Sequence, residues 1–147
     1  MQKWLWSALL TTNLRLLLDE CLQGELAEEI KAWRKVRSEW VCESSSLRGR
    51  RLTDLALMQY AQASKSILVT VEGRLNEHQF TICTHHGIIV FKATKRHESI
   101  KAQIFKKLML SGKRRLCKHA VTYLKSDEIT FRRRGADGRV QDTTIKI

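Results

Sequence analysis

The spacing of apolar residues changes period along the chain. Residues 3–22 are rich in Leu and Trp and read as a first helix, broken at Gly24. Leu26, Ile30, Trp33 and Trp40 then fall on one stripe, which predicts a second helix over 25–42. Its acids Glu25, Glu28 and Glu29 come early and its cations Arg34, Lys35 and Arg37 come late, the order that complements a helix dipole. Glu43, the three serines after it and Gly49 interrupt the pattern as a loop. Leu52–Ala63 reads as a further helix.

The period then shortens to two. Ile67, Val69 and Val71 alternate with Leu68, Thr70 and Glu72, as in a strand with one face inward. Phe80 and Ile82 continue the alternation beyond a turn at 73–77, and Ile88–Ala93 follows a second turn at His85-His86-Gly87. Connections this short predict a three-stranded antiparallel meander. Ile100, Ile104 and Leu108 restore the helical period over 98–110, with Ser99 placed to cap the start and Gly112 suited to the end. Leu116, Ala120, Tyr123 and Leu124 suggest another short helix. Ile129–Phe131 and Val140–Ile147 flank Asp137-Gly138, a two-residue turn signal, and read as a terminal hairpin. The expected architecture is α+β: N-terminal helices, the meander, one or two helices and a C-terminal β-hairpin. A length of 147 residues fits a single domain over 1–147, with a helical part at 1–43 and a basic α/β part at 52–147.

Charge divides the chain in a way hydropathy does not. Residues 1–77 hold 11 Lys/Arg and 10 Asp/Glu, a net of +1, while residues 78–147 hold 16 and 5, a net of +11. Ten of those cations lie between Lys92 and Lys118, where Glu98 is the sole acid. A sequence pI near 10 with one-sided charge suggests nucleic acid, an anionic membrane or an acidic protein as the partner. On a helix over 98–110, Lys101, Lys106 and Lys107 cannot share the Ile100, Ile104 and Leu108 stripe, so they flank it or face solvent. Lys92, Lys95 and Arg96 sit where the third strand leaves the sheet, and Lys113, Arg114, Arg115 and Lys118 follow the helix. Arg132, Arg133 and Arg134, with Arg139, make a second patch on the hairpin. Such a band can engage several phosphates at once and release their counterions, and arginine forks onto phosphate oxygens. The alternative for the 92–118 band is a solvated face, and the hairpin arginines can equally be a charged edge strand that discourages aggregation.

Trp4, Trp6, Trp33 and Trp40 lie in the charge-balanced half, away from the cations. Base stacking needs aromatics inside the basic surface, so backbone or shape recognition is expected, and Trp33 and Trp40 are candidates for a protein contact. Cys83, His85 and His86, and Cys117 with His119, do not have the spacing of a zinc finger or ribbon. Glycine-rich phosphate loops, nucleophile elbows and His-Glu-x-x-His motifs are absent from the sequence, and Asp127-Glu128 lacks the companion acids and lysine of a metal-dependent nuclease. No enzyme, cofactor or metal is therefore expected. Four unpaired-looking cysteines suggest reduced thiols in an intracellular, preferably cytoplasmic, protein. The N-terminal apolar run is broken by Asn13 and Arg15 and reads as a packed helix, not a signal peptide or membrane span.

Residues 52–110, and most closely Thr81 through Phe91, Lys92 and Thr94 to Phe105 and Leu108-Met109, resemble the small Alu-domain subunits of the signal recognition particle. The resemblance implies a helix, a three-stranded antiparallel meander and a second helix. It also implies pairing of two subunits through their sheets, with RNA backbone on the concave joint surface. In that picture Lys92, Lys95 and Arg96 face RNA, and Phe105 and Leu108 pack under the sheet. The expected function is non-catalytic binding of nucleic acid, RNA over DNA, as part of a ribonucleoprotein. The alternatives are an assembly subunit, forming a homo- or heterodimer through Trp-bearing helices and a sheet edge, and a small metal-dependent nuclease.

Overall fold

A strand covered on both faces needs an apolar side chain at nearly every position, and parallel sheets are made of such strands. Leu14–Leu18, Ile67–Val71 and Ile88–Phe91 are runs of that kind, and they form the middle of one seven-stranded sheet. The computed structural model describes residues 14–19, 25–33, 36–40, 54–73, 75, 77–80, 85–92 and 98–147. Its strands are β1 (Leu14–Leu18), β2 (Val36–Trp40), β3 (Ile67–Val71), β4 (Ile88–Phe91), β5 (Val121–Leu124), β6 (Glu128–Arg134) and β7 (Val140–Lys146). Its helices are α1 (Glu25–Lys31), α2 (Asp54–Ala63) and α3 (Glu98–Leu110). The strand order is β2-β1-β3-β4-β5-β6-β7. The first five strands are mutually parallel, and β6 and β7 run antiparallel.

This corrects the expected meander. β3 and β4 lie side by side but parallel, with Leu68 opposite Ile88 and Val71 opposite Phe91. Phe80 belongs to a 3-10 turn over Glu77–Phe80, and Ile82 lies outside the described residues. The alternation at 67–72 misleads because Leu68 and Thr70 are as buried as Ile67 and Val69. The expected first helix is also replaced where the structure describes it, since residues 14–18 form the strand between β2 and β3. Leucine favours helices, but that preference amounts to a few tenths of a kcal/mol per residue, less than burial on both faces of a sheet supplies. Residues 36–40 and 121–124, expected as helix, are likewise strands. The antiparallel meander implied by the Alu-subunit resemblance is not formed.

The core has two layers, one on each side of the sheet. Leu14, Leu16, Leu18, Ile67, Val69, Ile89, Phe91, Leu124, Ile129 and Phe131 pack under α1 and α3. Leu17, Leu68, Ile88, Val90 and Val121 pack under α2 and Phe80. α1 joins β1 to β2 and α3 joins β4 to β5 on the same face, yet the two connections step in opposite directions along the sheet. Their crossovers therefore have opposite hands. α2 steps past β1 to β3 on the other face, which gives it the hand of the α1 connection. One hand dominates such units, so α3 takes the face that the hand of its neighbours would leave empty. The consequence for function is direct: beyond Val121 at the start of β5, the α2-side face of β5, β6 and β7 has no described helix over it.

Candidate nucleic-acid interface

The uncovered face is polar because nothing apolar is there to be paired. A row of side chains crosses it from strand to strand. Glu72, just after β3, pairs with Lys92, just after β4, at 3.3 Å. Lys92 Nζ lies 4.8 Å from the ring centre of Tyr123 on β5, and Arg132 Cζ on β6 lies 5.2 Å from it. Each approach is within cation–π range. Arg132 then grips Asp142 on β7 with two bonds, Nε to Oδ1 at 2.9 Å and Nη2 to Oδ2 at 3.1 Å. A second row runs Lys125–Glu128–Lys146, at 3.3 and 2.8 Å. The hydroxyls of Thr130 and Thr144 meet between the rows at 3.0 Å. Lys92, Tyr123, Arg132 and Asp142 of the first row, Lys125 of the second, both threonines and Glu77 line an open concavity of about 600 Å³. The Arg132 bonds hold the Asp142 carboxyl below the usual carboxylate range, and Lys146 and then Lys125 do the same to Glu128.

A second surface lies at the other end of the strands. α3 stops at Leu110, and Gly112 turns the chain at φ +72°. A 3-10 turn over Arg114–Cys117 buries Cys117, whose thiol desolvation pushes its pKa up to about 12. With that anchor inside, Lys113 and Arg115 are left exposed and Lys118 half-buried. Arg133 on β6 donates from Nη2 to the Leu116 carbonyl at 2.7 Å, which joins the hairpin patch to the turn. Lys106, Lys113, Arg115 and Lys118 form no ion pair among the described residues, unlike Lys92, Lys125, Arg132 and Lys146.

Three histidines border this surface where β4 and β5 begin. The His119 N–H donates to the His86 carbonyl at 2.7 Å, and their rings meet edge to face at 4.9 Å. His85 Nε2 lies 3.0 Å from the Phe80 carbonyl. Burial first, then the positive charge of His119, Lys118 and Lys65, lowers the His86 pKa. Burial also lowers that of His85, against the raising effect of its Phe80 bond. A histidine with a depressed folded pKa lends stability above its unfolded value and loses it as pH falls through the interval down to the folded value. Urea titrations are therefore expected to show stability declining once pH drops below about 6.5. His85→Gln should flatten that decline, and an unchanged pH profile in His85→Gln would contradict this assignment.

No protein-family model, curated protein or solved structure matches the chain. Its surfaces have to be read from their own chemistry. Of the residues singled out from sequence, Lys95 and Arg96 lie outside the described residues. Lys101 is buried at 9% exposure and so is not the outward cation expected. A lysine stem can lie along apolar surface, which the helical wheel alone does not reveal. Lys107 is exposed and reaches the Ser126 carbonyl at 3.5 Å, and Arg114 is half-buried against Met109 Sδ at 3.9 Å. Arg134 is exposed near the Gly138 carbonyl. Trp33 packs against the core and donates to Glu29 Oε1 at 3.2 Å, and Trp40 lies on β2, the outermost strand at that edge. Tyr123 was not among the expected site residues. Its place in a Val-Thr-Tyr-Leu run signals a strand, but only the sheet order sets it between two cations.

Two further features bear on chemistry. Asp19 follows β1 at the point where neighbouring connections leave in opposite directions, a common ligand position in open α/β sheets. Its carboxylate is buried and accepts from Thr70 Oγ1 at 2.9 Å. Glu128 of the Asp127-Glu128 pair is held by two lysines. No described helix is long and apolar enough to cross a membrane.

Proposed function

We propose that this chain binds nucleic acid without catalysis, RNA in preference to DNA, through contacts to the phosphate backbone. The observation that carries the reading is the group Lys106, Lys113, Arg115 and Lys118, cations without an ion-pair partner among the described residues, tied to the hairpin by Arg133. An exposed cation already matched by a carboxylate gains little from a phosphate, whereas an unmatched one releases a counterion when it meets one. The uncovered sheet face supports RNA over duplex DNA. It offers the hydroxyls of Thr130 and Thr144 beside a cation-flanked tyrosine, groups suited to the 2′-hydroxyls and splayed bases of unpaired RNA.

The test is a filter-binding titration of a structured RNA across salt, with the parent protein and a variant in which Lys106, Lys113, Arg115 and Lys118 become glutamine. The logarithm of affinity is expected to fall linearly with the logarithm of salt, and the variant's slope should be shallower by about 3. Affinity that ignores salt, or a variant with the parent's slope, would refute the proposal. The assembly reading loses Trp33 as an exposed anchor, since its ring is packed on the core. Its other support, a free sheet edge, leads elsewhere.

A further inference from the structure

We infer that β7 is a self-pairing edge, and that two copies of this chain join through it, antiparallel, about a two-fold axis at Thr144. β7 is the last strand of the sheet, and residues 140–144 are exposed on both of its faces. It pairs with β6 in unbroken register from Glu128–Lys146 to Arg134–Val140, so no bulge twists its outer side away. It contains no proline or glycine, and four of its residues, Val140, Thr143, Thr144 and Ile145, are β-branched. An open edge of this kind is a template for another strand.

The backbone sets which residues can make that contact. The Arg139 carbonyl accepts from the Gly135 N–H at 2.7 Å, and the Ile147 N–H donates to the Asp127 carbonyl at 3.0 Å. Odd-numbered residues therefore turn their backbone groups toward β6. In an antiparallel ladder the alternate residues turn theirs the other way, so Val140, Asp142, Thr144 and Lys146 point theirs outward.

Charge then selects the register. The row Lys92–Tyr123–Arg132–Asp142 reaches the edge on a negative group. The row Lys125–Glu128–Lys146 reaches it on a positive one. Pairing Thr144 with Thr144 of a second copy sets Asp142 opposite the other Lys146, twice, by symmetry. Each row then continues with alternating sign into the other row of the second copy. Pairing Asp142 with Asp142 would also satisfy the backbone, but it sets like charges opposite one another, which is destabilising. On the opposite face the chosen register lays Thr143 against Ile145 and Gln141 against Ile147, covering two isoleucines that one copy leaves half-exposed.

Sedimentation velocity across a concentration series is expected to show a concentration-dependent species of twice the 17.1 kDa chain mass. Thr144→Pro removes one outward N–H and leaves the β6 ladder intact, so it should shift the protein to monomer at concentrations where the parent is dimeric. Asp142→Lys and Lys146→Asp should each weaken self-association at least tenfold, because each sets like charges opposite. Mixing these two variants should restore a dimer, since every cross-strand pair in the mixed species is again Lys with Asp. The mixture also controls for the loss of each residue's own contacts to Arg132 or Glu128. A parent that stays monomeric, single variants that self-associate as the parent does, or a mixture no more associated than its components would each overturn the inference.

Discussion

Gly87→Ala is expected to cost about 2–5 kcal/mol of folding stability, read as a lower urea midpoint and a melting temperature reduced by roughly 10 °C. Two effects add. Gly87 has φ +146°, a conformation that residues with a side chain rarely adopt. A Cβ there would also stand 2.4 Å from the Cys117 carbonyl oxygen and 3.0 Å from Ile67 Cγ1. The carbonyl belongs to the 3-10 turn after α3 and cannot swing aside as a side-chain tip could. Gly73→Ala is the control. Gly73 shares a positive φ, +81°, but has nothing within 4 Å of the added carbon, so its cost should stay near 1 kcal/mol. Equal losses at the two positions would mean that the contact with Cys117 is not what constrains Gly87. The same closeness matters for binding, because it holds the turn bearing Lys113, Arg115 and Lys118 against the start of β4.

Sequence periodicity located several elements and misjudged how they pair. The apolar spacing over 54–63 and 98–110 marks helices because each of those elements has one buried and one open side. The Asp137-Gly138 signal falls within the turn between β6 and β7. Strand direction is another matter. Alternation and a short gap are equally compatible with an antiparallel hairpin and with a parallel pair joined by a compact crossover. Residues 72–87 make the second with only a 3-10 turn among their described parts. Leu14–Leu18 was misread for a related reason: four of its five residues are buried between two strands, with Arg15 exposed, and so short a run carries too little periodicity to choose between helix and strand. The basic half was legible as composition. What composition could not show is which cations already have carboxylate partners. Those partners come from residues far apart in sequence, as Glu72 for Lys92 and Asp142 for Arg132 illustrate.

Phe105→Ala should be the other severe change, at about 3–5 kcal/mol. The ring is fully buried in the layer where α3 meets α1 and the sheet, alongside Leu26, Ile30, Ile104 and Leu108. Truncation leaves a void that fixed strands on one side and α1 on the other cannot close. The neighbouring Lys106→Ala, on the exposed side of α3, should change stability by less than about 0.5 kcal/mol. Chemical denaturation of both variants checks the pair, and comparable losses would place α3 in the wrong orientation. The orientation has a consequence beyond stability. α3 lies on the α1 side because its stripe of Ile104, Phe105, Leu108 and Met109 is shared with Leu26 and Ile30, and that sharing is what leaves the other face of β5–β7 open. An apolar stripe on α3 thus determines that Tyr123, Lys92 and Arg132 meet solvent instead of a helix. Any ligand of that face depends on it without touching it.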